Sequence, residues 1–297
     1  PRFERAQACS WLVAQSETQP IQPPRLAPSV MRYNVRRRWP ERAPRVVERP
    51  PGTAGLRLIA GLQPVREAIR VHRSGLKRVA LEEKPSPTLD ALARFAADQG
   101  VQEVVRAPRA DLERWTDAAQ HQGAAAWGPE LSLTPIDELL NDSTLLALAL
   151  DGIQDPQNFG AVIRSAVGVA NAAVIWGEHS SAPLSPATGR ASAGAIEHAR
   201  LCRVPSLVSA LNTARERRIS IVGLDSHAPE RIGELDLTGP MILVVGNEHE
   251  GMGRGVRRAC TAVGRLTASG RIDSLNASVA AALALYETVT ARLKSNT

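Results

Sequence analysis

Three separated stretches of the sequence combine glycine, asparagine, serine and charged residues as ligand-binding loops do. They cover residues 151–160, 246–253 and 269–276, and the first leads into a helical pattern that carries Arg164. Glycine lets a backbone approach a ligand closely, and a guanidinium can bind a phosphate or steady an oxyanion. Taken alone, the loops also fit a small-molecule transferase on a plain nucleotide-binding sheet. Arg164 alone fits a surface arginine of a helix.

Two other kinds of site find no support in the spacing. The run Gly251-x-Gly253-x-Gly255 lacks the G-x-G-x-x-G spacing of a dinucleotide fingerprint. The six histidines show no metal-ligand spacing, so we expect no metal. The three cysteines are widely spaced, which favours a reducing compartment over a disulfide framework.

The loops are predicted to lie at the carboxyl ends of strands in an open, mostly parallel α/β sheet. Leu145–Leu150 is a continuous apolar run, as expected of a strand buried on both faces. Similar runs occur at 173–176, 219–224 and 241–245, and helical patterns between and after them at 161–170, 207–218, 256–260 and 274–293. Because ligands bind beyond the carboxyl ends of such strands, we expect the three loops to share one crevice.

A smaller α/β domain is predicted before this sheet, over residues 54–135. It contains strand patterns at 58–62, 79–81 and 101–105, a helix that begins near Pro64, and a second helix over 89–99. The polar stretch 136–144 is predicted to be a linker, and residues 145–297 form the larger domain.

The basic charge of the chain lies in its N-terminal segment. The first 50 residues contain 10 Arg, 4 Glu and 8 Pro, and the other 247 contain 26 residues of each sign. Such a segment buries too little apolar surface to fold, so residues 1–53 are predicted to be a disordered tail. The tail is either plainly solvated or an arm that contacts RNA. No uninterrupted apolar stretch approaches 18 residues, so no membrane span is expected.

The three loops resemble the three motifs of the SpoU (TrmH) family of RNA ribose 2′-O-methyltransferases in the SPOUT superfamily. The motifs read DPQNFGAVIRSA, ILVVGNEHEGMG and SGRIDSLNASVAAALALYE here, and the likeness covers residues 145–292. The segment Ile59–Ile69, with His121-Gln122-Gly123, is similar to the N-terminal domain of the 23S rRNA guanosine 2′-O-methyltransferase branch.

The resemblance implies a fold and partners that spacing alone does not. It implies a SPOUT-type parallel sheet with a C-terminal trefoil knot, and a small L30e-like domain that binds RNA. It further implies S-adenosylmethionine as cofactor and a homodimer whose active site draws on both subunits. The implied reaction is methylation of a ribose 2′-hydroxyl, most simply of a guanosine in 23S rRNA, in the cytoplasm. An Arg-rich N-terminus also leaves an organelle open.

The resemblance assigns catalytic roles to five residues. Because arginine stays protonated in proteins, we interpret Arg164 as a charge-assisted clamp on the emerging alkoxide or a neighbouring phosphate, and not as a base. Asn158 would orient Arg164, Glu248 would pair with Arg164 or hold the ribose, and Asn276 would bind substrate. Ser274 suits the N-cap of the last helix, which alone would explain it.

A second group of residues matches the cofactor positions of the family. Leu266 and Leu275 would sandwich the adenine, although core packing is an alternative for both. The loop residues at the cofactor positions are Gly246, Asn247 and Gly251.

Two other functions remain open at this point. Thr267, Ala268 and His249 depart from the usual motifs, which would fit a non-catalytic RNA-binding or ribosome-assembly factor. Transfer RNA is an alternative substrate, because the same catalytic motifs serve both kinds of RNA.

Overall fold

The small domain is built on a four-stranded mixed sheet. The computed structural model describes residues 49–117, 120–247, 250–267 and 274–295. In chain order, the elements of the small domain are β1 (Arg57–Ala60), α1 (Leu62–His72), β2 (Arg78–Glu82), α2 (Pro87–Asp98), β3 (Val104–Ala107), α3 (Arg109–Trp115) and β4 (Ala124–Gly128). The strand order is β1-β4-β2-β3, with β4 antiparallel to both neighbours and β2 parallel to β3.

Local sequence explains why the first two helices form where they do. Val65, Ala68 and Ile69 recur at helical spacing, and all three are buried against the sheet. Ser86 caps α2 by accepting a hydrogen bond from the Leu89 amide, and Pro87 occupies the first turn. The strand predicted at 101–105 is shifted, because the Val101 amide still donates to the Ala96 carbonyl as α2 ends.

The larger domain holds a six-stranded sheet. Its elements are α4 (Ile136–Leu140), β5 (Leu146–Leu150), α5 (Pro156–Ser165), β6 (Ala173–Gly177), α6 (Pro186–Ala191), β7 (Leu201–Val204), α7 (Leu207–Glu216), β8 (Ser220–Leu224), β9 (Met241–Val245), α8 (Arg254–Ala259), β10 (Ala262–Gly264) and α9 (Ala277–Ser295). A π-turn, Ala166–Ala170, follows α5, and 3₁₀ turns lie at Arg73–Gly75, Ala195–Glu197 and Ile232–Glu234.

Every strand pair in the six-stranded sheet is parallel, which confirms the predicted sheet. The order is β10-β8-β9-β5-β6-β7, so the chain leaves β5 towards β6 and later returns to the other side of β5 as β9. That reversal makes the carboxyl ends of β5 and β9 a topological switch point, where ligands bind in open α/β sheets.

Helices cover both faces of this sheet, and the alternation along β5 shows how. Leu146, Leu148 and Leu150 point into the core shared with α5 and α9, whereas Ala147 and Ala149 point into the core shared with α4, α7 and α8. The layer of α5 and α9 therefore lies on one face and the layer of α7 and α8 on the other.

Two predicted boundaries were wrong. The predicted linker 136–144 contains α4, whose Leu139 and Leu140 are buried in the core of the larger domain. The helix predicted over 161–170 begins earlier, because Asp155 accepts hydrogen bonds from the Gln157 and Asn158 amides and Pro156 fills the first turn.

Two further predictions depend on residues that are not described. Of the predicted tail 1–53, residues 1–48 lie outside the described residues, which all fall within one compact unit, Val46–Thr297. The remaining stretch is ordered, because Pro50 and Thr53 are buried and the Thr53 hydroxyl donates to the Pro50 carbonyl over 2.7 Å. The trefoil knot depends on the chain path through 268–273, which also lies outside them, so the knot stays a prediction. Among the described residues, no helix is long and apolar enough to cross a bilayer.

Candidate active site

Hydrogen bonds join the loop after β5 to the loop after β9. The Asp151 carboxylate accepts a hydrogen bond of 2.7 Å from the Gly253 amide, and the Asn247 side-chain amide donates to the Gly152 carbonyl over 3.1 Å. The Asp151 amide donates to the Val245 carbonyl over 2.9 Å. The first two predicted loops therefore meet at the switch point of the sheet.

A side-chain contact joins the first loop region to the third. The Asn276 side-chain amide donates a 2.9 Å hydrogen bond to the side-chain oxygen of Asn158. Asn158 lies in the first turn of α5, and Asn276 immediately precedes α9. The starts of α5 and α9 are thereby held together at the same sheet edge.

The cap of α9 is Asn276, so the prediction that Ser274 caps it was wrong. The Asn276 side-chain oxygen accepts hydrogen bonds from the Ser278 amide at 2.9 Å, the Ser278 hydroxyl at 2.6 Å and the Val279 amide at 3.4 Å. Ser274 is exposed and lies before the helix begins. Asn276 therefore uses its oxygen on the helix and its amide on Asn158.

Arg164 lies apart from this cluster. It is exposed near the end of α5, about 9 Å along the helix axis from Asn158, given the 1.5 Å rise per residue. Its guanidinium forms no hydrogen bond or ion pair within the part of the chain that the structure describes. Asn158 therefore makes no contact with Arg164 that could orient it, contrary to the prediction, and the Arg164 side chain is exposed.

The loop after β9 closes on itself at its glycines. Asn247 and Gly251 exchange backbone hydrogen bonds of 3.0 and 2.9 Å, and Gly251 has a φ of +67°. A Cβ on Gly246 would lie 2.3 Å from the Gly251 carbonyl carbon. Glycine is therefore required at 246 because the backbone at Gly251 passes too close for a side chain. We had predicted glycine there for a different reason, the close approach of the backbone to a cofactor.

The chemistry of the described loop residues fits an adenosyl cofactor. Leu266 is half-buried and packs against the core, and Leu275 is also half-buried at the other end of the third loop. Half-exposed apolar side chains suit a flat base, and the backbone at 246, 247 and 251, beside the switch point, offers polar groups for its edge. Glu248, His249, Ala268 and Gly270 lie outside the described residues.

The described residues contain no candidate metal site. They contain no group of three or more His, Cys, Asp or Glu side chains that could hold an ion.

Family comparison now identifies both halves of the chain. Residues 145–286 match the SpoU rRNA methylase family, and residues 58–130 match the RNA 2′-O ribose methyltransferase substrate-binding family. The chain belongs to the SpoU rRNA methylase family. The two family regions coincide with the six-stranded and four-stranded sheets, respectively.

Two relatives of this SpoU protein extend the match across most of the chain. It is 35% identical over 237 residues to an uncharacterized tRNA/rRNA methyltransferase of Mycolicibacterium smegmatis, covering 77% of this chain and 75% of that protein. It is 34% identical over 247 residues to the 23S rRNA (guanosine-2′-O-)-methyltransferase RlmB of Pseudomonas putida, covering 80% of this chain and 97% of RlmB.

Solved SpoU structures share the fold. AviRb of Streptomyces viridochromogenes, in complex with the cofactor AdoMet, superposes with a TM-score of 0.67 at 25% identity, covering 81% of this chain and 92% of AviRb. An RNA 2′-O ribose methyltransferase superposes with a TM-score of 0.66 at 28% identity, covering 80% of this chain and 88% of that one.

Sequence reasoning missed two residues that shape the site. Asp151 fastens the two switch-point loops, and its signal was an acid directly after a buried strand. Asp155 starts α5 and so sets the position of Asn158; its signal was the Asp-Pro pair at a helix start.

Proposed function

We propose that this SpoU protein transfers a methyl group from S-adenosylmethionine to the 2′-hydroxyl of a guanosine ribose in 23S rRNA. The observation that carries the proposal is the Asn158–Asn276 hydrogen bond, which joins the first and third SpoU motifs at the switch point. The substrate class is supported by the match of residues 58–130 to the substrate-binding family and by the name of the Pseudomonas putida relative. The proposed location of this reaction is the cytoplasm.

The residues that hold the cofactor are proposed from the third loop and the loop after β9. Leu266 and Leu275 would contact the adenine, and the backbone at Gly246, Asn247 and Gly251 would bind polar groups. When bound, S-adenosylmethionine supplies a methyl group on a positively charged sulfur.

The protein's own task is then to activate a poor nucleophile, the ribose hydroxyl. Arg164 would stabilise the negative charge that develops on the 2′ oxygen as its proton leaves, because a guanidinium offers charge-assisted hydrogen bonds. Asn158 and Asn276 would hold the motif helices in place, and Glu248 and Ser274 would contact the ribose or Arg164. Fixing the hydroxyl in line with the methyl group lowers the entropic cost of reaction.

A homodimer would bring Arg164 to a second active site. Along α9, Val279, Leu283, Tyr286 and Leu293 are exposed at helical spacing, and Tyr286 is 63% exposed. Val169, which follows Arg164 in the adjacent π-turn, is exposed as well. An apolar stripe of this kind marks a protein interface, so a second copy seated on it would receive the outward-facing Arg164.

The test is a methyl-transfer assay on two RNAs. The purified protein is incubated with labelled S-adenosylmethionine and unmodified 23S rRNA or bulk tRNA, and 2′-O-methyl positions are then mapped. We expect label at one guanosine of 23S rRNA. Label in tRNA alone would assign the other substrate, which the tRNA/rRNA name of the mycobacterial relative keeps in view. No label in either RNA would overturn the proposal.

A further inference from the structure

A buried carboxylate joins the small domain to the methyltransferase domain of the same chain. Glu197, in the turn after α6, accepts hydrogen bonds from both terminal nitrogens of Arg57, at 2.9 and 2.6 Å. It also accepts one of 2.8 Å from Nε2 of His72. Arg57 lies on β1 and His72 ends α1, so both donors belong to the small domain. The Glu197 side chain is only 1% exposed.

A second hydrogen bond and a close backbone approach extend this contact between the two domains, which we call the seam. His198 directly follows Glu197 in the sequence, and its Nε2 donates to the Glu67 carboxylate of α1 over 2.9 Å. A Cβ on Gly194 would lie 2.9 Å from the Cα of Pro64, and Gly194 has a φ of +84°. The turn around Glu197 therefore presses against α1 with no room for a side chain at 194.

The Arg57–Glu197 pair fixes how the small domain is oriented against the methyltransferase domain. Burial alone would raise the pKa of Glu197, but hydrogen bonds from His72 and Arg57 outweigh burial and hold the pKa below its ordinary value. A bidentate arginine–carboxylate pair fixes both distance and angle, which apolar contact does not. Removing one partner of a buried pair leaves the other charge uncompensated.

The seam is connected to the first SpoU motif by direct packing. The turn that holds Glu197 follows α6, and α6 packs on α5 at Gly160. A Cβ on Gly160 would lie 2.5 Å from the Ala191 Cβ and 2.7 Å from the Thr188 carbonyl oxygen. No side chain separates α5 from α6 at this point, so displacement of α6 would be transmitted to the helix that carries Asn158 and Arg164.

We propose that Glu197 is a positioning residue that locks the substrate-binding domain onto the methyltransferase domain, so that a bound RNA element is held at a fixed distance from the methylation site. The fixed arrangement of the two domains would select the target nucleotide. Only a ribose at one distance from the RNA element bound by the small domain could then reach the methylation site. This inference rests on the proposed function, because it assumes that the small domain binds RNA.

The test compares three variants of the 297-residue chain with the wild type. Glu197→Gln keeps the shape of the side chain and removes its charge. Leu211→Ala is the matched control, because Leu211 is fully buried on α7, on the opposite face of the sheet from α5 and remote from the seam. His72→Gln keeps a hydrogen-bond donor near the position of Nε2 and is expected to behave like the wild type. Small-angle scattering of the free protein and mapping of methylated nucleotides are measured for each form.

The lock predicts a specific pattern. Glu197→Gln should increase the radius of gyration, because the two domains are no longer held together. It should also raise KM for RNA by about tenfold or more and spread methylation to neighbouring nucleotides. Its S-adenosylmethionine affinity should match that of the wild type. Leu211→Ala should lose stability without changing the methylated position.

Two results would overturn the inference. One is unchanged dimensions and unchanged site selection in a folded Glu197→Gln protein, and the other is the same loss of selection in Leu211→Ala. Should Glu197→Gln fail to fold, His72→Leu provides the same readouts, because it breaks one of the three hydrogen bonds to Glu197. An inactive wild type would contradict the proposed function instead, and the scattering comparison would still test the lock.

Discussion

The Asn276 side chain caps α9 with its oxygen and binds Asn158 with its amide, so one residue both starts a helix and joins two SpoU motifs. These two tasks can be separated by substitution. Serine is a good N-cap but is too short to reach Asn158.

Asn276→Ser should therefore keep stability and lose activity. Asn276→Ala should lose both, with a stability cost of about 1 kcal/mol from the missing cap. Thermal unfolding and methyl-transfer rates measured on both variants check this. Full activity in Asn276→Ser would show that the link to Asn158 is dispensable.

The exposed stripe on α9 predicts a dimer that one charge can disrupt. Leu283→Glu should yield a folded monomer with little activity, because the side chain is exposed in the single chain and covered in the proposed dimer. Light scattering after gel filtration checks the mass. Val71→Glu is the control, since Val71 is also exposed but lies on α1. A dimeric, active Leu283→Glu protein would place the interface elsewhere.

Acid should destabilise the fold through two carboxylates. Hydrogen bonds from Arg200 and Thr144 lower the pKa of Asp142 to about 2, and the pKa of Glu197 is also lowered. A carboxylate with a depressed pKa in the folded state contributes stability above its unfolded pKa, near 4, and loses it as the pH falls towards 2.

The unfolding temperature should therefore decline between about pH 4.5 and pH 2. The decline should be shallower in Asp142→Asn than in the wild type, as measured by thermal unfolding across that range. Equal slopes for the two proteins would assign the acid sensitivity to other groups.

The sequence predicted the larger sheet better than the smaller one. Leu146–Leu150 and Met241–Val245 are short continuous apolar runs, which are typical of strands buried on both faces of a parallel sheet. By contrast, β4 reads Ala-Ala-Ala-Trp-Gly, and alanine intrinsically favours helix. Its strand conformation comes from burial between β1 and β2, which local sequence does not encode.

The candidate site shows the same limit. The motifs located the first two loops and the start of α9, but the cap of α9 was assigned to Ser274 because serine and asparagine are both good caps. The exposed position of Arg164 could not be predicted from the sequence. It depends on where α5 begins, and in the single chain Arg164 lies on a surface that the proposed second subunit would cover.

The most direct measurement of the central claim is the activity and cofactor affinity of Arg164→Ala. If Arg164 acts on the ribose oxygen, kcat should fall by about 10²–10³-fold, while calorimetric titration with S-adenosylmethionine gives the wild-type Kd. Arg215→Ala, at an exposed arginine on α7, in the helix layer on the opposite face of the sheet, should leave both unchanged. Loss of cofactor binding in Arg164→Ala, or an unchanged kcat, would contradict the account.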